Sequence, residues 1–236
     1  MAVLNAEGVT FDFEMPVVVV GAGACGLVAA LAAHDAGQEV MILERDETPT
    51  GSTSLSAGLI PAPCTRLQKE AGIEDSPEIF ASDLVAKTHD HTPFDMALVA
   101  AQTAGPMIDW LMDKHHVEFE LVTGFIYPGH SRLRMHGPKS RTGADLEQSL
   151  LAAVSEAGID LLTEASVEDL YVDQSGRVKG VRFRRPDGAL EMLGCKALVL
   201  ASCGFAGDVA LVQKYIPEIA EAECCGHLSN TGDAVK

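Results

Sequence analysis

Three glycines with the spacing Gly21-x-Gly23-x-x-Gly26 follow directly after the β-branched run Val17–Val20. The valine run predicts a short buried strand, and the Ala/Leu-rich stretch after the glycines predicts a helix that ends at Gly37. One glycine permits the tight turn out of the strand, and the other two let backbone, helix and sheet approach closely. The spacing therefore predicts a strand–turn–helix unit, which is typical of a parallel α/β sheet.

An acidic residue, Glu44, lies at the end of the next predicted strand. At this distance from a glycine turn, a carboxylate can accept hydrogen bonds from the ribose of a dinucleotide. The free N–H groups and the dipole at the start of the helix would bind the phosphates. Glu44 favours a free ribose 2′-hydroxyl and disfavours NADP, whereas NAD and FAD both remain open at this point.

Composition limits the class of protein and its partners. The 236 residues are 47% hydrophobic, which is enough for one domain with a sizeable core. Because 34 Asp and Glu face only 17 Lys and Arg, nucleic acid and anionic membrane surfaces are excluded as partners. No apolar run is long enough to span a bilayer, and the acidic N-terminus is unlike a signal peptide. The six cysteines lack metal-ligand spacing, so we expect reduced thiols, no metal site and a cytoplasmic location.

Beyond the glycine turn, periodicity and turn residues predict further helices and strands. Helices are expected to begin at the cap Ser76, followed by Pro77 in the first turn, and at the cap Thr142. Two more separate helices are expected from Pro93 to about Gln102 and from Pro106 to about Lys114. A basic segment from Gly124 to Arg141 is expected to be irregular. The predicted strands are Val117–Val122 and a β-meander of Val167–Val172, Val178–Phe183, Ala189–Leu193 and Ala197–Ala201.

A loop of small residues, Gly51-Ser-Thr-Ser-Leu-Ser-Ala-Gly58, follows Glu44-Arg45. Here the sequence resembles the fumarate reductase/succinate dehydrogenase flavoprotein family, whose soluble members include ketosteroid dehydrogenases and flavocytochrome-type fumarate reductases. In that family a loop at this place wraps the pyrophosphate and the flavin, and small residues let N–H groups and hydroxyls reach the cofactor. The resemblance implies FAD rather than NAD, and an NAD-dependent oxidoreductase is the alternative.

Three further features carry the resemblance: the glycine turn Ala201-Ser-Cys-Gly204-Phe205, Val167 at the start of the meander, and Thr231-Gly232-Asp233. The family attaches FAD covalently through a histidine in its membrane-bound members. Thr53 stands at the matching position, so we expect non-covalent FAD. The cofactor-binding residues that the motif and the resemblance predict are Gly21, Gly23, Ala24, Gly26, Glu44, Arg45, Gly51, Ser52, Thr53, Ser56, Ala57, Gly58, Val167, Ala201, Gly204 and Asp233.

The resemblance implies an α/β fold of the FAD-binding Rossmann type (glutathione-reductase-like), with a parallel sheet, helices on both faces and a β-meander. Residues 1–236 are expected to form the N-terminal portion of one FAD-binding domain, incomplete at the C-terminus, without the capping domain and the return segment. The implied activity is hydride transfer at a C–C bond next to an activating group. The alternative is a non-catalytic FAD-binding subunit or fragment that needs a complementary C-terminal polypeptide.

A dense cluster of basic residues, His130–Arg141, stands out in an otherwise acidic chain. Arg134 and His136 are the candidates for contact with a small-molecule substrate, for which an anion is the natural choice. The alternative is that the cluster pairs with nearby carboxylates and has no functional role. The sequence assigns no catalytic acid or base.

Overall fold

The computed structural model describes residues 1–235 and divides the chain into two compact units. The first unit combines Met1–Leu55 with Leu150–Lys236, and the second unit is Ser56–Ser149. The first boundary falls inside the Gly51–Gly58 loop. Among the described residues, no helix is long and apolar enough to cross a membrane.

Ten strands and six helices occur in the described residues. The strands are β1 (Ala2–Asn5), β2 (Phe13–Val20), β3 (Val40–Leu43), β4 (Ile60–Pro61), β5 (Glu120–Leu121), β6 (Met135–Gly137), β7 (Asp160–Leu162), β8 (Ser166–Val172), β9 (Val178–Arg184) and β10 (Leu190–Leu200). The helices are α1 (Ala24–Asp35), α2 (Arg66–Glu70), α3 (Pro77–Lys87), α4 (Phe94–His115), α5 (Gly143–Glu156) and α6 (Val209–Tyr215), followed by a 3-10 turn at Pro217–Ile219.

The first unit is built on a seven-stranded sheet with the order β1-β8-β9-β10-β2-β3-β7. Strands β10, β2, β3 and β7 are parallel, whereas β9 pairs antiparallel with both β8 and β10 and so forms the meander. The register brings Val20 opposite both Leu43 and Leu200, so three strands end at the same level. The predicted α/β fold is confirmed.

Strand β2 contains a continuous run of apolar residues, which is typical of a buried parallel strand. Val17–Val20 are all buried, because neighbouring elements cover both faces of the strand. Val18 and Val20 join the core that also contains Leu43 and, from the meander, Val181 and Phe183. Burial of this cluster holds the parallel strands and the meander together as one sheet.

The second unit contains a small antiparallel sheet, β4-β6-β5, with helices α2, α3 and α4 and most of α5. Helix α3 begins as predicted: Ile79 N donates to Ser76 Oγ at 3.2 Å, and a proline occupies the first turn. Helix α5 begins after Thr142, whose Oγ1 accepts from Asp145 N at 3.3 Å. The predicted starts of both helices are thus correct.

Helix α4 differs from the prediction of two helices, because it continues through Pro106. A proline inside a helix removes one hydrogen bond to the carbonyl four residues earlier, here that of Gln102. Pro106 and Gln102 are both exposed, so water can satisfy that carbonyl. On the buried side, Gly105 lies against the Pro63 carbonyl, where a Cβ would come within 2.1 Å of the oxygen.

Strand β10 also differs, since one strand replaces the two that were predicted. Its first half pairs with β9 and its second half with β2, so hydrogen bonding continues through Gly194 and Cys195. The basic segment that was expected to be irregular contains β6, and the predicted strand Val117–Val122 is reduced to the two residues of β5. Strands β1, β4 and β7 were not predicted.

Candidate functional site

A cavity of about 330 Å³ lies in the first unit, where the carboxyl ends of β2, β3 and β10 meet. Parallel α/β sheets bind their ligands at this edge. The cavity is lined by the glycine turn, the residues after β3, the Gly51–Thr53 turn, the start of β8 and the residues after β10. A C-terminal loop, residues 226–233, completes the lining with His227, Ser229, Asn230 and Asp233.

The glycine turn brings the N-terminus of α1 to the cavity. Gly21 has φ +106, and a Cβ there would lie 2.6 Å from the Ala201 carbonyl oxygen. A Cβ on Gly26 would lie 1.9 Å from the Gly21 carbonyl oxygen, so the helix could not start this close to the strand with any other residue. Gly21, Gly23 and Ala24 line the cavity, whereas Gly26 lies beneath it as a packing residue.

The Glu44 carboxylate lines the cavity and is oriented by the backbone. Its Oε2 accepts from Ala22 N at 2.7 Å and its Oε1 from Asp46 N at 3.0 Å. Each carboxylate oxygen can accept a further hydrogen bond, which suits the hydroxyls of a ribose. Arg45, the next residue, also lines the cavity, and its Nη2 donates to Ser229 Oγ at 2.5 Å.

The Gly51–Thr53 turn lies against the start of α1, because Thr53 Oγ1 accepts from Ala24 N at 3.0 Å. All three residues of the turn line the cavity. The other predicted loop residues, Ser56, Ala57 and Gly58, belong to the second unit, where Gly143 N donates to the Ser56 carbonyl at 2.7 Å.

Val167, Ala201 and Asp233 also line the cavity. Gly204 does not line it, but its carbonyl accepts from Gly232 N at 3.1 Å and so holds the turn that carries Asp233. Asp233 Oδ2 accepts from Thr231 Oγ1 at 2.9 Å and lies 3.9 Å from Arg45 Nη1. The C-terminal loop is therefore fixed by both backbone and side-chain contacts.

Sequence reasoning missed several wall residues, among them Ser202, His227 and Asn230. Ser202 follows Ala201 directly, and the other two precede the Thr231–Asp233 turn, so adjacency to recognised motifs was the available signal. Ser202 Oγ is buried and has no hydrogen-bond partner among the described residues. A buried hydroxyl without a partner in a cavity wall fits a site that a polar ligand completes. Glu44 can accept hydrogen bonds from a ribose and the start of α1 can bind phosphates, so the residues present fit FAD.

Arg134 lies in the second unit and is completely buried. Its Nε and Nη2 donate to the two carboxylate oxygens of Asp75, both at 2.9 Å, and its Nη1 donates to Asp83 Oδ2 at 2.5 Å. Burial raises the pKa of both carboxyl groups, but hydrogen bonds from Arg134 and its charge outweigh burial and bring both pKa values below the ordinary range. These contacts favour the carboxylate-pairing alternative, and substrate contact by Arg134 stays a prediction.

His136 is also buried, and both ring nitrogens have partners. Nδ1 lies 2.9 Å from the Arg134 carbonyl oxygen and must donate to it, so Nε2 accepts from the Thr65 hydroxyl at 2.8 Å. Burial lowers the pKa of His136, which keeps the ring neutral near pH 7. Contact of His136 with a substrate likewise stays a prediction. Among residues 1–235, no group of three or more His, Cys, Asp and Glu is arranged to hold a metal ion.

Residues 16–236 match the model of the FAD-binding domain family. The chain belongs to this family. The glycine turn, Glu44 and the Gly51–Thr53 turn thus surround a cavity in a fold that binds FAD, and the prediction of FAD over NAD is confirmed.

Relatives with known activities are much longer than this chain. The chain is 32% identical to an NADH:fumarate oxidoreductase of Klebsiella pneumoniae over 93% of its own length but only 24% of the relative. It is 33% identical to a urocanate reductase of Eggerthella lenta, over 91% of this chain and 35% of that enzyme. The chain therefore spans about a quarter to a third of these relatives.

Solved structures agree with the fold. A flavocytochrome c3 fumarate reductase in its open conformation superposes with a TM-score of 0.86 at 27% identity, covering 95% of this chain and 40% of that one. A 3-ketosteroid-Δ4-(5α)-dehydrogenase from Rhodococcus jostii RHA1 also gives 0.86, at 23% identity, covering 100% of this chain and 55% of that one. Because the dehydrogenase is only 23% identical, its similarity supports the fold alone.

Proposed function

We propose that this protein is the FAD-binding part of a flavin-dependent oxidoreductase that transfers hydride at a C–C bond next to an activating group. The observation that carries the proposal is the cavity at the carboxyl edge of the sheet, where the Glu44 carboxylate and the start of α1 face the same space. FAD, when bound, supplies the hydride chemistry, and the protein supplies binding and orientation. That residues 1–236 form one portion of a single FAD-binding domain is part of the proposal.

The residues of the cavity have distinct proposed roles. The Glu44 carboxylate, already oriented by two backbone N–H groups, would accept from the ribose hydroxyls. The start of α1, with Gly23 and Ala24, would bind the pyrophosphate through N–H groups and the helix dipole. The Gly51–Thr53 turn would cover the phosphates, and Val167 would contact the adenine through its backbone. Ser56, Ala57 and Gly58 stay proposed as cofactor-binding residues.

A small anionic molecule is the proposed substrate. The names of the two relatives specify fumarate and urocanate, which are both unsaturated carboxylates. In such molecules the carboxylate or the conjugated ring activates the neighbouring C–C bond toward hydride. The substrate class is inferred from the names of these relatives alone.

A second candidate function is a non-catalytic FAD-binding subunit that a complementary C-terminal polypeptide completes. One observation favours it: the C-terminal region exposes many large apolar side chains. Such exposure is typical of a surface that a partner covers. The exposed residues are Val209, Tyr215, Ile216, Ile219, Leu228 and Val235.

We further propose that the FAD is held without a covalent bond and that the protein is cytoplasmic. Thr53 offers only a hydroxyl, which already accepts from Ala24 N. His227 does line the cavity, but its Nδ1 is hydrogen-bonded to Ser229 Oγ. Flavin that remains in the pellet after acid precipitation of the protein would contradict non-covalent binding.

The activity test uses the purified chain reconstituted with FAD and supplied with a reduced dye as electron donor. Fumarate and urocanate are offered separately, and oxidation of the dye is followed. Turnover of either acid by the chain alone supports the oxidoreductase. If FAD binds but neither acid is reduced, the non-catalytic subunit is favoured, and a partner that restores turnover would support it. If NAD binds and FAD does not, the proposal is wrong.

A further inference from the structure

Two loops that are far apart in the sequence meet at Ser52 in the wall of the cavity. Ser52 Oγ accepts a hydrogen bond from His227 N at 3.1 Å and another from Asn230 Nδ2 at 2.8 Å. Asn230 is buried, with 8% of its surface exposed, so water does not compete well for its amide. Both Ser52 and Asn230 line the cavity.

The loop that supplies these donors is itself held in place. The Asn230 carbonyl accepts from Gly207 N at 2.9 Å, and Asn230 N donates to the His227 carbonyl at 3.0 Å. On the other side of Ser52, the neighbouring Thr53 hydroxyl accepts from Ala24 N at the start of α1. Ser52 and Thr53 therefore connect the C-terminal loop to the segment where phosphates are proposed to bind.

The hydrogen-bonding capacity of a serine hydroxyl determines whether Ser52 can donate or accept a further hydrogen bond. A serine hydroxyl has two lone pairs that accept and one hydrogen that donates. Because two N–H donors occupy both lone pairs, only the hydrogen remains for a third partner. Among the described residues, no acceptor receives that hydrogen. Ser52 is thereby held as a donor beside the cavity.

We propose that Asn230, together with the His227 backbone N–H, positions the Ser52 hydroxyl as an obligatory donor to a pyrophosphate oxygen of the bound dinucleotide. This inference rests on the proposed FAD-binding function and deepens it. Asn230 is a positioning residue that acts through Ser52. Without its amide, one lone pair of Ser52 is free, the hydroxyl rotates, and the cavity loses a fixed donor.

The test is a double-mutant cycle on FAD binding in the full chain, measured by quenching of FAD fluorescence. Ser52→Ala should raise the dissociation constant roughly tenfold, the loss expected for one hydrogen bond to a charged acceptor. Asn230→Ala should raise it about fivefold in the wild type but have no effect in the Ser52→Ala background. The matched control is Ser54→Ala, in the same loop, because Ser54 donates only to the Gly51 carbonyl at 2.9 Å.

A second variant tests whether residue 230 must donate its hydrogen bond to Ser52. Asn230→Asp offers only acceptors, so Ser52 would turn its hydrogen toward residue 230, and FAD binding should weaken more than with Asn230→Ala. Thermal unfolding of each variant without FAD separates a folding defect from a binding defect. Additive effects in the cycle, or wild-type affinity in Asn230→Asp, would overturn the inference alone. A wild-type chain that binds no FAD would overturn the proposed function and the inference together.

Discussion

Replacing Arg134 by alanine is expected to destabilise the protein severely, because Asp75 and Asp83 lose the buried cation that pairs with them. The side chains of Arg134 and Asp75 are both 0% exposed, and that of Asp83 is 16% exposed. Removing one partner of a buried ion pair costs about 3–5 kcal/mol, since the remaining charge is left without compensation. Arg134 also lies 4.7 Å from the Phe80 ring centre, and this contact is lost as well. Such a loss is a large fraction of the stability of an ordinary domain, about 5–15 kcal/mol.

The assay is urea unfolding followed by the fluorescence of Trp110, the single tryptophan of the chain, which lies on α4 in the second unit. Arg132→Ala is the matched control: this arginine is exposed and donates to two backbone carbonyls, so its loss should cost less than about 1 kcal/mol. In an Asp75→Asn background, Arg134→Ala should cost less than in the wild type, because one unpaired charge is absent. Wild-type stability of Arg134→Ala combined with a weaker substrate affinity would refute this account and support substrate contact.

Three further predictions concern pH, Glu44 and the thiols. Asp75 and Asp83 have lowered pKa values, so their stabilisation is complete above the unfolded carboxyl pKa of about 3.9 and is lost as pH falls through the lower folded values. In Arg134→Ala, burial is opposed only by the hydrogen bonds from Gln68 and Ser76 to Asp75 and from Ser131 to Asp83, so unfolding curves between neutral and acid pH should show a weaker dependence. Glu44→Ala should raise the FAD dissociation constant at least tenfold by equilibrium titration, since charged hydrogen bonds contribute about 1.5–3 kcal/mol, and unchanged affinity would remove Glu44 from the site. FAD should shield the exposed, cavity-lining Cys25 and Cys203 from maleimide, as measured by peptide mass spectrometry, while the exposed Cys225 stays reactive. Cys195, whose pKa burial raises to about 11, should be inert with or without FAD, and labelling of Cys25 unaffected by FAD would contradict the site.

Features governed by local physics could be predicted from the sequence. The glycine turn, the cap at Ser76 with its following proline, and the acid after β3 each depend on neighbouring residues, and each occurs where the pattern indicated. The parallel pairing of β2 with β3 followed from the same turn, because a helix that joins two neighbouring strands of one sheet makes them run in the same direction. Together with the family resemblance, this local information named 11 of the 26 described residues that line the cavity.

Features that depend on distant partners could not be predicted. Helix α4 passes through Pro106 because that side of the helix faces solvent, and β10 is continuous because it has a different neighbour at each end. The carboxylate partners of Arg134 could not be named, because no local pattern links it to Asp75 and Asp83. Asn230 reaches Ser52 across 178 residues, a contact that no local pattern reports.

The most direct test of the central claim is the visible absorption spectrum of the purified chain after incubation with FAD and gel filtration. The account predicts a flavin spectrum that co-elutes with the protein at close to one FAD per chain, and Glu44→Ala should retain less. A colourless protein that takes up no FAD, although circular dichroism shows it folded, would contradict the assignment of the cavity as the cofactor site.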